Sequence, residues 1–145
     1  MPKILAFGTF DIFHSGHLAY LKQAREIAKD GELIVIVARD KNVKKFKNKK
    51  PLNSEKDRLE IIRHLKIVDR AVLGKENNIF TLVKQIKPDI ILLGYDQKPS
   101  EEELEKKLDK LNIKSKIMRA KPYNPHKMKS TKIHTKIREK ILNEH

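Results

Sequence analysis

No cysteine and no tryptophan occur among the 145 residues, glycine appears only five times, and the aromatic residues together make up 6%. Without thiols there is no disulfide scaffold, no thiolate nucleophile and no Cys-ligated zinc site, and nothing points to an oxidising compartment. The scarcity of rings argues against a nucleic-acid module, which adds stacking platforms or base-reading arginines to its basic surface. Long apolar runs are missing too. Leu33 to Ala38 and Ile90 to Gly94 fall far short of the roughly 20 residues that cross a bilayer. Met1 to Lys3 leads directly into a strand-like stretch, so no leader is visible, and a cytoplasmic location without a membrane partner is expected.

What the chain has in excess is positive charge: 33 Lys+Arg against 19 Asp+Glu, a formal net charge of +14. Such a field attracts phosphorylated metabolites, nucleotides, nucleic acids and acidic membranes alike, and its sign does not choose among them. Most lysines are spread over helical faces. One cluster stands apart: Lys41, Lys44, Lys45, Lys47, Lys49 and Lys50 lie close together in a stretch, 39–52, that reads as a long irregular loop.

The length suits one domain spanning 1–145 with one sizeable core. KILAFG (Lys3 to Gly8) reads as a strand, followed by a helix carrying Leu18, Leu21, Ala24 and Ala28. ELIVIVA (Glu32 to Ala38) has the continuous β-branched character of a strand buried on both faces of a parallel sheet. Ser54 caps a helix with Leu59, Ile62 and Leu65 on its apolar stripe. RAVLG (70–74), a helix over 79–86 stopped by Pro88, and DIILLG (89–94) continue the alternation. Ser100 caps a helix headed by three glutamates, Lys114 to Met118 makes a weaker fifth strand, and Ser130 to Leu142 makes a closing helix. Repeated βα units with short connections predict an α/β fold: one doubly wound, Rossmann-like domain, a five-stranded parallel sheet with helices on both faces. Ligands of such sheets bind beyond the carboxyl ends of the strands.

The chemistry-bearing segment lies where that rule places it. After the first strand the chain reads Gly8-Thr9-Phe10-Asp11-Ile12-Phe13-His14-Ser15-Gly16-His17. This is not the G-x-G-x-x-G fingerprint of dinucleotide-binding dehydrogenases. Two imidazoles three residues apart, at a helix N-terminus with Gly16 between them, bring ring N–H donors to the positive end of a helix dipole, which is an anion site. A metal reading lacks a third ligand, since Asp11 is the only acid nearby. Simple helix capping by the two histidines is the plainer alternative.

The segment GTFDIFHSGH resembles the T-x-x-H-x-G-H signature of the cytidylyltransferase-like nucleotidyltransferases, and the similarity extends along the chain through Arg58-Leu59-Glu60, Val68-Asp69, Gly94-Tyr95-Asp96-Gln97 and Ser130-Thr131-Lys132-Ile133. The G-Y-D-Q element, Val37-Ala38-Arg39-Asp40 and Tyr123 are most similar to the archaeal-type FAD synthases within that family. The resemblance implies transfer of AMP from ATP to FMN, giving FAD and pyrophosphate. It implies that His14 and His17 hold the reacting α-phosphate, with Ser15 and Gly16 in the same motif, and that Thr9 and Phe10 shape the floor of the nucleotide pocket. By the same token Lys44 or Lys45 closes over the triphosphate and Ser130 and Thr131 meet its β- and γ-phosphates. Asp96 accepts from the base or ribose, Tyr123 contacts the nucleotide, and Arg58 supports the phosphates. The plain reading of Arg58 is a surface pair with Glu55. Mg²⁺ accompanies the triphosphate, with no metal site of the protein's own, and a homodimer is expected. Two other readings stay open: a cytidylyltransferase using CTP and glycerol 3-phosphate or another small alcohol phosphate, and a non-catalytic nucleotide- or RNA-binding module.

Overall fold

A computed structural model describes residues 1–75 and 79–122, which form five strands and five helices. In chain order they are β1 (Lys3–Gly8), α1 (Ser15–Ala28), β2 (Glu32–Val37), α2 (Asp40–Lys47), α3 (Glu55–Arg63), β3 (Arg70–Leu73), α4 (Ile79–Ile86), β4 (Ile90–Leu93), α5 (Glu101–Lys110) and β5 (Lys116–Arg119). The strands form one all-parallel sheet in the order β3-β2-β1-β4-β5. The expected closing helix, 130–142, lies outside the described residues.

The period-two alternation of the strands divides the core into two layers. Ile4, Ala6, Leu33, Val35, Val37, Ala71 and Leu92 face Leu21, Ala24 and Ala28 of α1 and Leu59 and Ile62 of α3. Leu5, Ile34, Ile36, Ile91 and Leu93 face Val83 of α4 and Leu104 and Leu108 of α5. Leu5 is in register with both Ile34 and Ile91, and all three are at most 1% exposed. Strands covered on both faces need apolar residues at every position, which is why β2 reads as an unbroken run.

The two ends of the sheet differ. At the amino end, Asp89 accepts from Lys3 N and Asp69 from Leu33 N, each at 2.7 Å, so carboxylates close the first rungs. At the carboxyl end β1 and β2 remain paired through Gly8↔Val37, whereas β1 and β4 are paired only as far as Ala6↔Leu92. Beyond that rung the two strands part. Since β2 lies on one side of β1 and β4 on the other, this opening is the topological switch point, the place where open α/β sheets receive ligands. Two open concavities of 350 and 430 Å³ involve Lys3, Glu32, Asp69 and Arg70 and sit at the amino side of the sheet, away from the switch point.

One expectation is overturned here. The lysine-rich stretch is not an irregular loop: Asp40–Lys47 forms α2, with Val43 buried, Lys44 and Lys45 exposed, and Asn48 in a left-handed C-cap at φ 55°. Only Val43 and Phe46 are apolar among the eight residues of this helix, so lysines dominate the pattern that can be read. What holds the helix is tertiary. Asp40 and Glu55 exchange hydrogen bonds across the starts of α2 and α3, with Asp40 N donating to Glu55 Oε1 at 3.0 Å and Glu55 N to Asp40 Oδ2 at 3.3 Å.

Candidate active site

The β1–α1 turn is bent by its own aromatics. Phe10 has φ 52°, in the left-handed region that a residue with a Cβ rarely adopts, and is 3% exposed. Strain of this kind costs on the order of 1–3 kcal/mol and persists where the surroundings enforce it. Here they do so closely, since a Cβ on Gly8 would stand 3.0 Å from the tip of the Phe10 ring. The ring stays under the strand end because residue 8 has no side chain, and it meets His17 edge-on at 5.4 Å between centroids. Phe13 flanks the same imidazole at 5.5 Å.

Helix α1 opens on the histidine pair. His14 is its N-cap and His17 its third residue, so the histidines belong to the first turn rather than preceding it. Gly16 N donates to His14 Nδ1 at 3.1 Å, and His14 N donates to His17 Nδ1 at 3.3 Å. The arrangement is a reciprocal cap in which two imidazoles replace the usual hydroxyl and carboxylate. Capping and ligand binding are therefore not alternatives. Because a backbone N–H can only donate, each Nδ1 is an acceptor and each neutral ring carries its proton on Nε2. The two rings stack at 3.9 Å with 22° between their planes. His14 Nε2 is enclosed and, among the described residues, has no hydrogen-bond partner. A buried donor left unpaired costs about 1–3 kcal/mol, and such a group calls for a missing acceptor. Gly16 takes an ordinary negative φ, so no backbone requirement for glycine arises there.

Burial pushes the His14 pKa below its ordinary 6.5. Protonating Nδ1 would turn the acceptor of the Gly16 N–H into a competing donor and break the cap. The stabilisation from the neutral ring is thus fully present above 6.5 and is lost as pH falls through the lower folded-state value. We expect melting temperature to drop more between about pH 7 and about pH 5 in the natural protein than in His14→Ala. Equal drops in a thermal-shift titration would refute this assignment.

The other anticipated residues fall as follows. Thr9 and Phe10 lie in the β1–α1 turn, Ser15 and Gly16 open α1, and Asp96 is exposed after β4, across the switch point. Lys44 and Lys45 stand on α2, which follows the neighbouring strand β2. These groups share the carboxyl edge of the sheet. Tyr123, Ser130 and Thr131 lie outside the described residues. Arg58 departs from both readings made of it. Its side chain is fully buried, and it does not pair with Glu55, which bonds Arg39 instead. Arg58 Nε donates to Asn53 O, Nη1 to Thr9 O and Ala38 O (2.8 Å each) and Nη2 to Asp40 Oδ1 at 2.6 Å. The guanidinium is enclosed by protein acceptors and ties the ends of β1 and β2 to α3, so any support for phosphates is indirect.

Two supports were not anticipated. Asp11, 6% exposed, accepts from Leu52 N at 3.0 Å and Asn53 N at 2.9 Å, clasping the α2–α3 connection to the histidine turn. Tyr20 OH sits in the opening between β1 and β4, accepting from Phe7 N and donating to Leu92 O, and burial pushes its pKa up. Both contacts span long stretches of sequence and left no local trace.

Residues 5–136 match the family described as cytidylyltransferase-like. The chain belongs to that family. Within the cytidylyltransferase-like family it is 51% identical over 137 residues to the FAD synthase of Methanothermus fervidus, covering 93% of this chain and 94% of the relative. It is 44% identical over 141 residues to the FAD synthase of Thermoplasma volcanium, covering 97% of each. The crystal structure described as the lipopolysaccharide core biosynthesis protein of Thermoplasma volcanium superposes with a TM-score of 0.79 at 46% identity, over 86% of this chain and 99% of that one. A pantoate-beta-alanine ligase of Francisella tularensis, 16% identical with a TM-score of 0.58 over 92% of this chain and 68% of that one, shares the fold alone.

Proposed function

We propose that the protein is an FMN adenylyltransferase. The single observation that carries this is the likeness, at 51% identity over nearly the whole of both chains, to a relative named FAD synthase. The unpartnered His14 Nε2–H at the start of α1 supports the site. A phosphate oxygen of FMN attacks the α-phosphorus of ATP. One P–O bond forms to give FAD, the α–β bridging P–O bond breaks, and pyrophosphate leaves with the electron pair. The attacking phosphate is already ionised at neutral pH, so no general base is needed. Catalysis then consists of alignment and of donors for the charge that builds on the α-phosphoryl oxygens. His14 and His17 supply those donors as neutral Nε2–H groups, reinforced by the helix dipole. The exposed Lys44 and Lys45 attract the triphosphate, Ser130 and Thr131 receive its far end, and Asp96 and Tyr123 contact the nucleoside.

Among the described residues no three His, Asp or Glu side chains converge to hold a metal, and Asp11 has an oxygen on each of two backbone amides. These residues do not fit a resident metal site. Mg²⁺ belongs in this reading to the triphosphate, held by phosphate oxygens and water.

The test is direct. Pure protein is incubated with ATP or CTP, Mg²⁺, and FMN or glycerol 3-phosphate, and pyrophosphate and flavin products are followed. FAD formed from ATP and FMN is the expected result; turnover only with CTP and glycerol 3-phosphate would replace it with the cytidylyltransferase reading. Light scattering of the active preparation checks the proposed homodimer, which predicts twice the 16.9 kDa chain mass.

A further inference from the structure

The opening between β1 and β4 is spanned by a second side chain, one that the reaction as described does not use. Gln97 Nε2 donates to Phe7 O at 2.7 Å, and Gln97 Oε1 accepts from Gly94 N at 2.9 Å. The amide substitutes for the next rung of the β1–β4 ladder, joining the strands where direct pairing has stopped at Ala6↔Leu92. A backbone rung would bring the strands together; a side chain of this length holds them apart while satisfying both groups.

The other side of the same loop is held by Arg119, the last residue of β5. Its Nη1 donates to Gly94 O at 2.7 Å and Gln97 O at 2.6 Å, its Nη2 to Pro99 O at 3.4 Å, and its Nε to Glu101 Oε1 at 2.9 Å. The loop from Gly94 to Pro99 is therefore fixed at both ends and on both sides, and Tyr95 and Asp96 ride between the anchors. Planar groups with several donors suit this task, because each fixes an orientation as well as a distance.

We propose that Gln97 and Arg119 are positioning residues for nucleotide binding. They set the width of the switch-point opening and hold Tyr95 and Asp96 where the nucleoside end of ATP docks. The inference rests on the reading of this site as an ATP-dependent nucleotidyltransferase centre. It concerns the donor nucleotide only, so the FMN site is expected to be indifferent to it.

The test uses the full chain with Gln97→Met, which keeps length and bulk but removes both hydrogen bonds, and with Arg119→Lys, which keeps the charge but not the fork. Calorimetry gives the Kd for Mg·ATP without FMN, and steady-state kinetics give KM for ATP and for FMN. Each variant is expected to raise the Kd and KM for ATP about tenfold, equivalent to about 1.4 kcal/mol of positioning lost. The KM for FMN should stay within about twofold, the pattern of lost ground-state binding of one substrate. An ATP Kd within twofold of the parent in both variants would overturn the proposal, as would equal increases in both KM values. If Gln97→Met does not fold, Arg119→Lys decides alone. If the parent binds ATP but makes no FAD, the acceptor reading fails, while the ATP Kd of the variants still tests the positioning role.

Discussion

Replacing His14 with alanine is expected to lower kcat on the order of 10²–10³-fold while the sheet remains folded. The magnitude is that of removing one donor from a site where charge develops. His14 has two separable roles, and alanine removes both. Loss of the Nδ1 acceptor frees the Gly16 N–H and weakens the cap, which costs about 1 kcal/mol. Loss of the Nε2 donor removes a group that has no partner among the described residues, so it costs no stability and falls entirely on substrate and transition state. Rate and stability should therefore separate. His14→Asn sharpens the comparison, because asparagine is a strong N-cap that cannot place a donor at the position of Nε2. It should recover the melting temperature without the rate. Assays at saturating ATP and FMN, paired with thermal melts, check both; recovery of rate by His14→Asn would contradict the assignment of roles.

Arg58→Ala should be the most destabilising single change near the site, by about 3 kcal/mol, lowering the melting temperature by roughly 10 °C. The guanidinium is 0% exposed while Asp40 is 30% exposed, so the loss is set by the low end of the range for broken buried ion pairs. Three backbone carbonyls, those of Asn53, Thr9 and Ala38, lose their donor together. Arg58→Lys should restore little, because one ammonium cannot serve those acceptors and Asp40 from a single position. Activity should fall as well, since the Thr9 carbonyl lies in the turn that carries the histidines. Calorimetric melts of the two variants test this, and a change below about 3 °C for alanine would mean that the four hydrogen bonds carry little of the local stability.

How much of this was legible in the sequence depended on whether the cause was local. The β2 run, the Ser54 and Ser100 caps and the histidine motif are each written in a few neighbouring residues, and the caps appear as read, with Ser54 accepting from Asp57 N and Ser100 from Glu103 N. Strand ends moved by a residue or two, most for β5, which spans Lys116–Arg119. Helix α2 was missed because its stability comes from the Asp40–Glu55 exchange rather than from an apolar stripe. The plain reading of Arg58 as a surface pair follows from a charged residue in a helix usually being exposed, whereas its burial depends on acceptors as far away as Thr9. Gln97 was visible in G-Y-D-Q, but its reach to Phe7 on the neighbouring strand β1, 90 residues away along the chain, cannot be inferred from spacing.

The central claim is that two neutral imidazoles, each held by a backbone N–H on Nδ1, offer Nε2–H to the reacting phosphate. Nitrogen NMR of protein labelled with ¹⁵N-histidine tests it most directly, recorded at neutral pH with and without a non-hydrolysable ATP analogue and Mg²⁺. The account predicts that Nδ1 of His14 and His17 is unprotonated throughout and that both Nε2–H resonances move on addition of the nucleotide. A protonated Nδ1 in either ring, or Nε2 signals unmoved by saturating nucleotide, would contradict it.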